Sequence, residues 1–484
     1  MNYRMILYYL AATMLVVAVF MLPALLISFI FHETSAVIAF SVTIAAVTVI
    51  CLPFLFRKPK KTVMRAREGY IITAIAWILV SLIGAVPLWM SKTIPNYIDA
   101  LFETASGFTT TGASIMPTLD FAPKGMIYWR SFTHWLGGMG VLVFLLALTP
   151  SSSSGDSVFI MRAESPGPQV SKLVPKTRQS AQILYKIYVG MTILQIVLLL
   201  LGGMPFLDAL EISFATAGTG GFSCNSAGMA LYTPYMLWVI TIFMILFGVN
   251  FGIYYLLIMR SFKKIKSNEE IRYYFLAILA AIAIITPKIY SIYHHSFGDA
   301  LLQASFQTAS IISTTGFASA DFNTWPTVCK MTLLLLMILG GCAGSTGGGV
   351  KVSRTVILFK CIRLSLRKLL HPNTVTKVHM DGDTVPDATL HFIYIYFGAY
   401  SFIMLLSMLL ISLDHMSLEG TITSVLTCLN NVGPGFAEVG PMSTYASLTW
   451  FSKVVLTIDM LIGRLEIFPI LMLLMPANWK RSRV

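Results

Sequence analysis

The feature that most limits what this chain can become is a phrase it repeats. FETASGFTTTG, residues 102–112, returns as FQTASIISTTG, residues 306–316, with seven of eleven letters shared and Thr-Thr-Gly closing both copies. Two fainter copies are DALEISFATAGTGGFS, which carries Gly221, and SVLTCLNNVGPGF, with Gly433 at the corresponding place. Asp99 precedes Gly112 by thirteen residues, and Asp208 precedes Gly221 by thirteen. A phrase repeated in fixed order marks one structural unit used several times.

Each copy lies between segments apolar enough to cross a bilayer. Such segments fall near 5–31, 36–56, 70–90, 126–149, 181–203, 234–259, 271–292, 328–365 (interrupted), 386–413 and 448–476, which predicts ten crossings. Only 11% of residues are charged and 56% are hydrophobic, whereas soluble domains carry about 25% charge. Residues 5–31 exceed the core of a secretory leader and read as a retained transmembrane helix.

The net charge of +13 does not imply a nucleic-acid partner, because its distribution follows the crossings. Lys and Arg crowd into RKPKKTVMRAR (57–67), RSFKKIK (260–266), the stretch around Arg363, Arg367 and Lys368, and KRSR (480–483). None occurs between Lys186 and Arg260, or between Lys377 and Lys453. By the positive-inside rule the basic loops and both termini face the cytoplasm. The six cysteines form no CxxC pair, so neither a disulfide framework nor a zinc site is expected.

The predicted unit is helix, re-entrant hairpin, helix. A stretch such as 99–109 is long enough to dip halfway into the membrane, after which Thr-Thr-Gly returns as extended backbone. Non-helical backbone at that depth must be buried in protein or line a wet cavity. Four hairpins around one axis would make that cavity themselves. A dehydrated alkali cation needs oxygens in place of its water, and backbone carbonyls supply them. Glycine takes the dihedrals that aim successive carbonyls at one axis, and helix C-terminal ends pointed at the centre favour a cation. Thr110, Thr111, Thr314 and Thr315 add hydroxyls that can brace the loops.

These phrases resemble the pore loops of the Trk/Ktr/HKT superfamily of potassium transporters, in its bacterial TrkH/TrkG-type branch. HWLGGMG (134–140), AESPGP (163–168), GGCAGSTGGGVKVSR (340–354) and IGRLEIFP (462–469) support the resemblance along nearly the whole chain. It implies an all-α polytopic membrane protein: four helix–pore-loop–helix repeats in a pseudo-tetrameric pore, plus two extra N-terminal transmembrane helices. The expected division is 1–68 for those two helices and a basic cytoplasmic loop, then 69–150 for pore repeat 1. Residues 151–262 form a linker and repeat 2, 263–366 repeat 3 with an intramembrane gating loop, and 367–484 a linker and repeat 4. The potassium filter is then Thr110, Thr111, Gly112, Thr219, Gly220, Gly221, Thr314, Thr315, Gly316, Asn431, Val432 and Gly433. Glycine in all four loops resembles the potassium-favouring members, and Pro434 makes the fourth loop the irregular one. The resemblance also implies a homodimer in the cell inner membrane, bound to a cytosolic nucleotide-binding ring (a TrkA-type subunit) through loops near 150–180, 260–270 and 360–385. Potassium is the transported ion, and no organic cofactor is expected in this chain.

Two features lie below the filter. Arg464 sits near the middle of the last span, where a charge costs about 2.5–3.5 kcal/mol on insertion scales and should face a wet interior. It can repel a permeating cation, or pair with Asp459, Glu466 or another repeat. The second feature, 341–349, is too rich in glycine for uninterrupted helix. It is not a nucleotide-binding loop, because Val350-Lys351-Val352 replaces the Gly-Lys-Ser/Thr that chemistry requires. Close helix packing through small residues is a second reading. In the resembling family such a loop obstructs the pore and moves on gating, which assigns Gly341, Gly344, Gly347, Gly348, Gly349, Lys351 and Arg464 to the gate, with Arg354 nearby.

His134 and Asn250 could face the cavity, although a lone His in an apolar helix more often packs. The outer acids Glu103, Asp120, Asp208, Glu211, Asp299, Asp321 and Glu438 could attract cations or cap helices. Sodium or ammonium permeation through the same pore is an alternative function. A membrane enzyme using His134, Arg464 and Glu466 is a weaker one, since no convergent acidic, histidine or metal motif accompanies them. No catalytic residue is assigned.

Overall fold

A computed structural model describes residues 2–56, 65–140, 177–371 and 377–478. AESPGP, most of the first basic run, the loop near 150–176 and the terminal KRSR lie outside the described residues. Within them the chain is almost entirely helical; a two-stranded hairpin pairs His379 with Thr384 and Met380 with Asp383.

Four times the chain runs through a long helix, a short helix and a second long helix. The short helices are Tyr97–Phe108, Phe206–Gly218, Phe297–Ile312 and Leu418–Leu429. At 12 to 16 residues they reach about 18–24 Å at 1.5 Å per residue, short of a bilayer core. Each carries an acid in its first turn: Asp99, Asp208, Asp299 or Glu419. A negative side chain there complements the helix dipole, which accounts for these acids without invoking an ion site.

The long first helices are Ala66–Met90, Thr177–Leu201, Glu269–Ile289 and Asp387–Ile411. Among the described residues the second helices of repeats 2, 3 and 4 are broken, and only the interruption in repeat 3 was expected from the sequence. In repeat 2, Pro234–Phe247 and Phe251–Ile258 meet at 92°, where a single span over 234–259 was expected. Repeat 3 stops at Leu339 and restarts at Val352, and repeat 4 breaks between Arg464 and Phe468. In repeat 1 the helix Lys124–Met139 ends at Gly140, with φ 82°; the rest of the span expected over 126–149 lies outside the described residues. Apolar composition reports depth in the bilayer but not helical continuity, so the breaks in repeats 2 and 4 were invisible to it, whereas the glycines of 341–349 announced the one in repeat 3.

Two further spans, Tyr3–Ile30 and Thr34–Leu55, precede the repeats. They lean on repeat 1: the Glu33 carboxylate accepts from the backbone N–H groups of Lys124 and Gly125, and Asn2 N–H donates to Glu68 at 2.8 Å.

Candidate functional site

Each short helix ends in the same way. The Thr110, Thr219, Thr314 and Asn431 N–H groups donate back to Gly107, Thr216, Ile311 and Cys428 carbonyls at 3.0–3.3 Å. The next residues, Thr111, Gly220, Thr315 and Val432, donate to Ser106, Ala215, Ser310 and Thr427 at 2.8–2.9 Å. This is the Schellman pair of bonds, which needs a left-handed residue at its turn. Here that residue is not glycine: φ is 57°, 56°, 59° and 54° at Thr110, Thr219, Thr314 and Asn431. The first residue of each triplet is therefore left-handed rather than extended, contrary to the sequence expectation. Holding an L-residue there costs roughly 1–2 kcal/mol, and the side chains show what is gained. The Thr314 hydroxyl accepts from Gly348 N–H at 2.6 Å, and Arg464 Nη1 reaches the Thr110 hydroxyl at 3.4 Å. Asn431 Nδ2 donates to the Thr111 hydroxyl and the Met460 carbonyl, both at 3.0 Å. A glycine would offer none of these.

Two residues on, Gly112, Gly221, Gly316 and Gly433 are left-handed as well, with φ of 78°, 77°, 79° and 98°. The space beside them is occupied by a neighbour's backbone. A Cβ on Gly112 would strike the Gly220 carbonyl oxygen, one on Gly221 that of Thr315, and one on Gly316 that of Val432. A Cβ on Gly433 would stand 2.5 Å from the Thr111 oxygen. Repeat 1 thus meets repeat 2, 2 meets 3, 3 meets 4, and 4 meets 1 again. The four glycines and the carbonyls before them thus form a closed circuit of contacts, each just past the C-terminal end of its short helix. Behind them, Thr109 bonds Thr111 at 2.8 Å and Ser313 bonds Thr315 at 2.7 Å, hydroxyl to hydroxyl.

Beneath this ring lies the glycine-rich segment between Leu339 and Val352. It fills the break in repeat 2. Cys342 N–H donates to the Gly248 carbonyl at 2.9 Å, Phe251 N–H to Gly344 at 3.0 Å, and the Thr346 hydroxyl to Phe247 at 3.2 Å. Two interrupted helices satisfy each other's backbone groups, as the bilayer interior demands. The segment also touches the short-helix ends of repeats 3 and 4: Gly349 N–H donates to the Asn430 carbonyl at 3.0 Å, besides the Gly348–Thr314 bond. Buried Glu270 Oε1 accepts from Ala343 N–H at 2.7 Å and Ser353 N–H at 3.1 Å, near the two ends of the segment.

Arg464 sits between repeat 1 and this segment. It donates to the carbonyls of Gly137 and Gly138, the latter at 2.6 Å, and to Thr346 at 2.9 Å. Gly137 and Gly138 end a helix, where a cation is favoured. The carboxylates suggested as its partners are engaged elsewhere: Glu466 pairs with Arg354, and Asp459 accepts from Ser407 at 2.8 Å. Lys351 donates to the Gly347 carbonyl. The residues singled out as gating candidates, Gly341 through Gly349 with Lys351 and Arg464, thus form one layer.

Several of the remaining polar candidates make structural bonds. His134 is buried; its Nδ1 lies 2.8 Å from the Gly107 carbonyl and its Nε2 accepts from Phe222 N–H at 3.3 Å. That pattern requires the neutral Nδ1–H tautomer and stitches repeat 1 to the loop of repeat 2. Asn250 caps the helix Phe251–Ile258, accepting from Gly252 N–H at 2.8 Å. Glu103 is bound by Arg130 and by Ile115 N–H, Asp99 pairs with Lys453 at 2.8 Å, and Glu438 accepts from Ser417. Sequence reasoning missed Glu270, which reads as an ordinary first-turn acid, and Tyr445, whose hydroxyl donates to the Gly433 carbonyl at 2.7 Å. Neither carries a local signal of its distant partner.

The sequence profile of the family TrkH, described as cation transport protein, matches residues 32–481. "Trk system potassium uptake protein TrkH" of Salmonella typhimurium is 35% identical over 429 residues, 87% of this chain and 88% of that protein. The protein of the same name in Halomonas elongata is 31% identical over 99% of this chain and all of its own length. The crystal structure of the potassium transporter TrkH from Vibrio parahaemolyticus superposes with a TM-score of 0.88 at 30% identity, covering 99% of this chain and 100% of that one.

Proposed function

This chain belongs to the TrkH family of cation transport proteins, multi-pass membrane proteins of a transport rather than an enzymatic class, and from that premise we propose that it carries potassium into the cell. The observation that supports the reading best is the closed circuit of glycine-to-carbonyl contacts. It offers four sets of peptide oxygens around a single axis, with four helix C-terminal ends adding negative potential. In this reading Thr110–Gly112, Thr219–Gly221, Thr314–Gly316 and Asn431–Gly433 form the filter, and the repeats divide the chain as the sequence suggests. The layer of 341–349, Lys351 and Arg464 is the gate in this reading, which is supported by its contacts with the short-helix ends of repeats 3 and 4 and by its being held by hydrogen bonds rather than by the covalent run of a helix.

The protein works in the cell inner membrane with both termini in the cytoplasm, as the placement of its basic residues suggests. It acts as a homodimer whose cytosolic face receives a nucleotide-binding, TrkA-type ring. The test is cation flux in proteoliposomes with competing potassium, rubidium and sodium. Potassium and rubidium should pass ahead of sodium, and Gly112→Ser should erode that order; an unaltered series in the variant removes the filter assignment. Deleting Gly347 and Gly348 should raise basal flux about tenfold, the equivalent of one or two hydrogen bonds lost. Unchanged basal flux removes the loop from the gate.

A further inference from the structure

One member of the ring departs from the other three. φ is 77–79° at Gly112, Gly221 and Gly316 but 98° at Gly433, and the space beside Gly433 is less tightly filled by its neighbour's carbonyl. Its carbonyl is also the one that Tyr445 engages, at 2.7 Å. Tyr445 is wedged into the seam between repeats 4 and 1. Its N–H donates to the Ser114 carbonyl of repeat 1 at 2.9 Å, and its ring lies 5.4 Å from that of Phe102. Only 2% of it is exposed, so its hydroxyl must find a partner inside. Two oxygens are in reach: Thr427 Oγ1 at 3.0 Å and the Gly433 carbonyl at 2.7 Å. A phenol has one proton to give; the carbonyl is nearer and is the stronger acceptor. In repeat 2 the corresponding outer loop also brings in a tyrosine, Tyr232, but its hydroxyl meets Cys224 Sγ at 3.1 Å and Asn225 Nδ2 at 3.1 Å instead of the filter glycine.

We propose that Tyr445 is a specificity-determining residue of this filter. By donating to the Gly433 carbonyl it ties back one of four glycine-level ligands, so the ion there is held by three free carbonyls and one shared. Preference for potassium over the smaller sodium depends on the number and field of the carbonyls that replace water. A tied carbonyl lowers both. Tyr445 therefore sets discrimination below what the four glycines alone would give. This rests on the filter reading above.

The test measures competing potassium, rubidium and sodium flux through the purified full-length chain in proteoliposomes. Tyr445→Phe keeps the ring packing and removes the proton. The potassium-to-sodium ratio should rise about three- to tenfold, the scale of one hydrogen bond returned to ion coordination. A ratio that is unchanged or lower overturns the proposal. Thr427→Val, which removes the neighbouring hydroxyl together with its own bonds to the Thr423 and Ser424 carbonyls, should leave the ratio at its original value; a rise equal to that of Tyr445→Phe assigns the effect to packing and overturns it too. If Tyr445→Phe does not yield folded protein, fluorotyrosine at 445 donates more strongly and should lower the ratio, with an unaltered ratio again negative. Gly112→Ser separates the two levels. Should that variant leave selectivity intact, the filter reading itself fails; should it change selectivity while Tyr445→Phe does not, only the role of Tyr445 is lost.

Discussion

The ring and the layer beneath it are a few residues apart and are built on opposite principles. In the ring, four segments of different sequence converge on one backbone: a Schellman end, a left-handed Thr or Asn, then a left-handed glycine. Below it the repeats stop resembling one another. Repeat 3 supplies a long loop, repeat 4 an arginine, repeat 2 a 92° break that receives the loop, and repeat 1 the carbonyls of Gly137 and Gly138 that hold the arginine. A cation on the axis is equidistant from its ligands only if the ligands are equivalent, so the ring tolerates little variation. A barrier needs no symmetry. One loop and one charge suffice, and the other repeats are free to become their supports.

If that contrast is right, a methyl group should be far more harmful in the ring than anywhere outside it. Gly221→Ala places an L-residue at φ 77° with its Cβ against the Thr315 carbonyl. Strain of roughly 2–3 kcal/mol at the coordinating backbone corresponds to about a hundredfold loss of potassium flux. Gly398→Ala is the matched control, since a Cβ there meets nothing within 4 Å and it lies in the helix Asp387–Ile411. Its flux should be unchanged and its stability to heat equal or slightly greater. Equal losses in both variants would erase the distinction between ring and scaffold. In the lower layer the sign reverses, because removing a part should open the path. Arg464→Gln leaves two N–H donors for three carbonyls and removes the charge. At about 6 Å and an effective dielectric near 20, repulsion of roughly 3 kcal/mol is relieved. Basal flux should rise between about ten- and a hundredfold, measured in the same vesicles; a fall would make Arg464 a support and nothing more.

The same contrast governs how much could be read from the letters. The ring was legible because it is repeated: Thr-Thr-Gly appears twice outright, and the glycine at the same offset marks the weaker copies. The number of repeats followed from the four copies of the phrase, and the all-helical class from the family resemblance. What was illegible is whatever occurs once and depends on contact between distant segments. Hydropathy scored 234–259 as one span, since the short polar dip at Gly248-Val249-Asn250 is averaged away over a span-length window, and only the arriving loop explains why the chain can bend there. Arg464 was recognised as needing a wet or polar setting, but the choice among its possible partners depended on Gly137 and Gly138, more than three hundred residues earlier. The left-handed threonines were missed for a related reason. Local propensity argues for glycine or asparagine at that position, and threonine makes sense only once Gly348 and Arg464 are seen to use its hydroxyl.

Glu270 offers the finest probe of the lower layer, because it is not in the path at all. A single carboxylate oxygen accepts from Ala343 at the start of the loop and from Ser353 just past its end, so it fixes the distance between the loop's two roots. Its neighbour Glu269 pairs with Lys360 on the helix that leaves the loop, and Glu269 N–H donates to Asp381 of the two-stranded hairpin at 2.7 Å. The loop is thus anchored toward that hairpin as well as against the ring. Glu270→Ala leaves two buried N–H groups without an acceptor, which disfavours the packed state of the loop. Basal flux should rise about three- to tenfold, less than for Arg464→Gln, because the barrier is loosened and not removed. Glu270→Gln keeps an oxygen in place and should restore most of the closed state, which a purely electrostatic role would not allow. The ion series must stay as in the original chain in both variants. A change in potassium-to-sodium ratio would mean that ring and layer are one unit, and that the separation between symmetric coordination above and asymmetric control below is wrong.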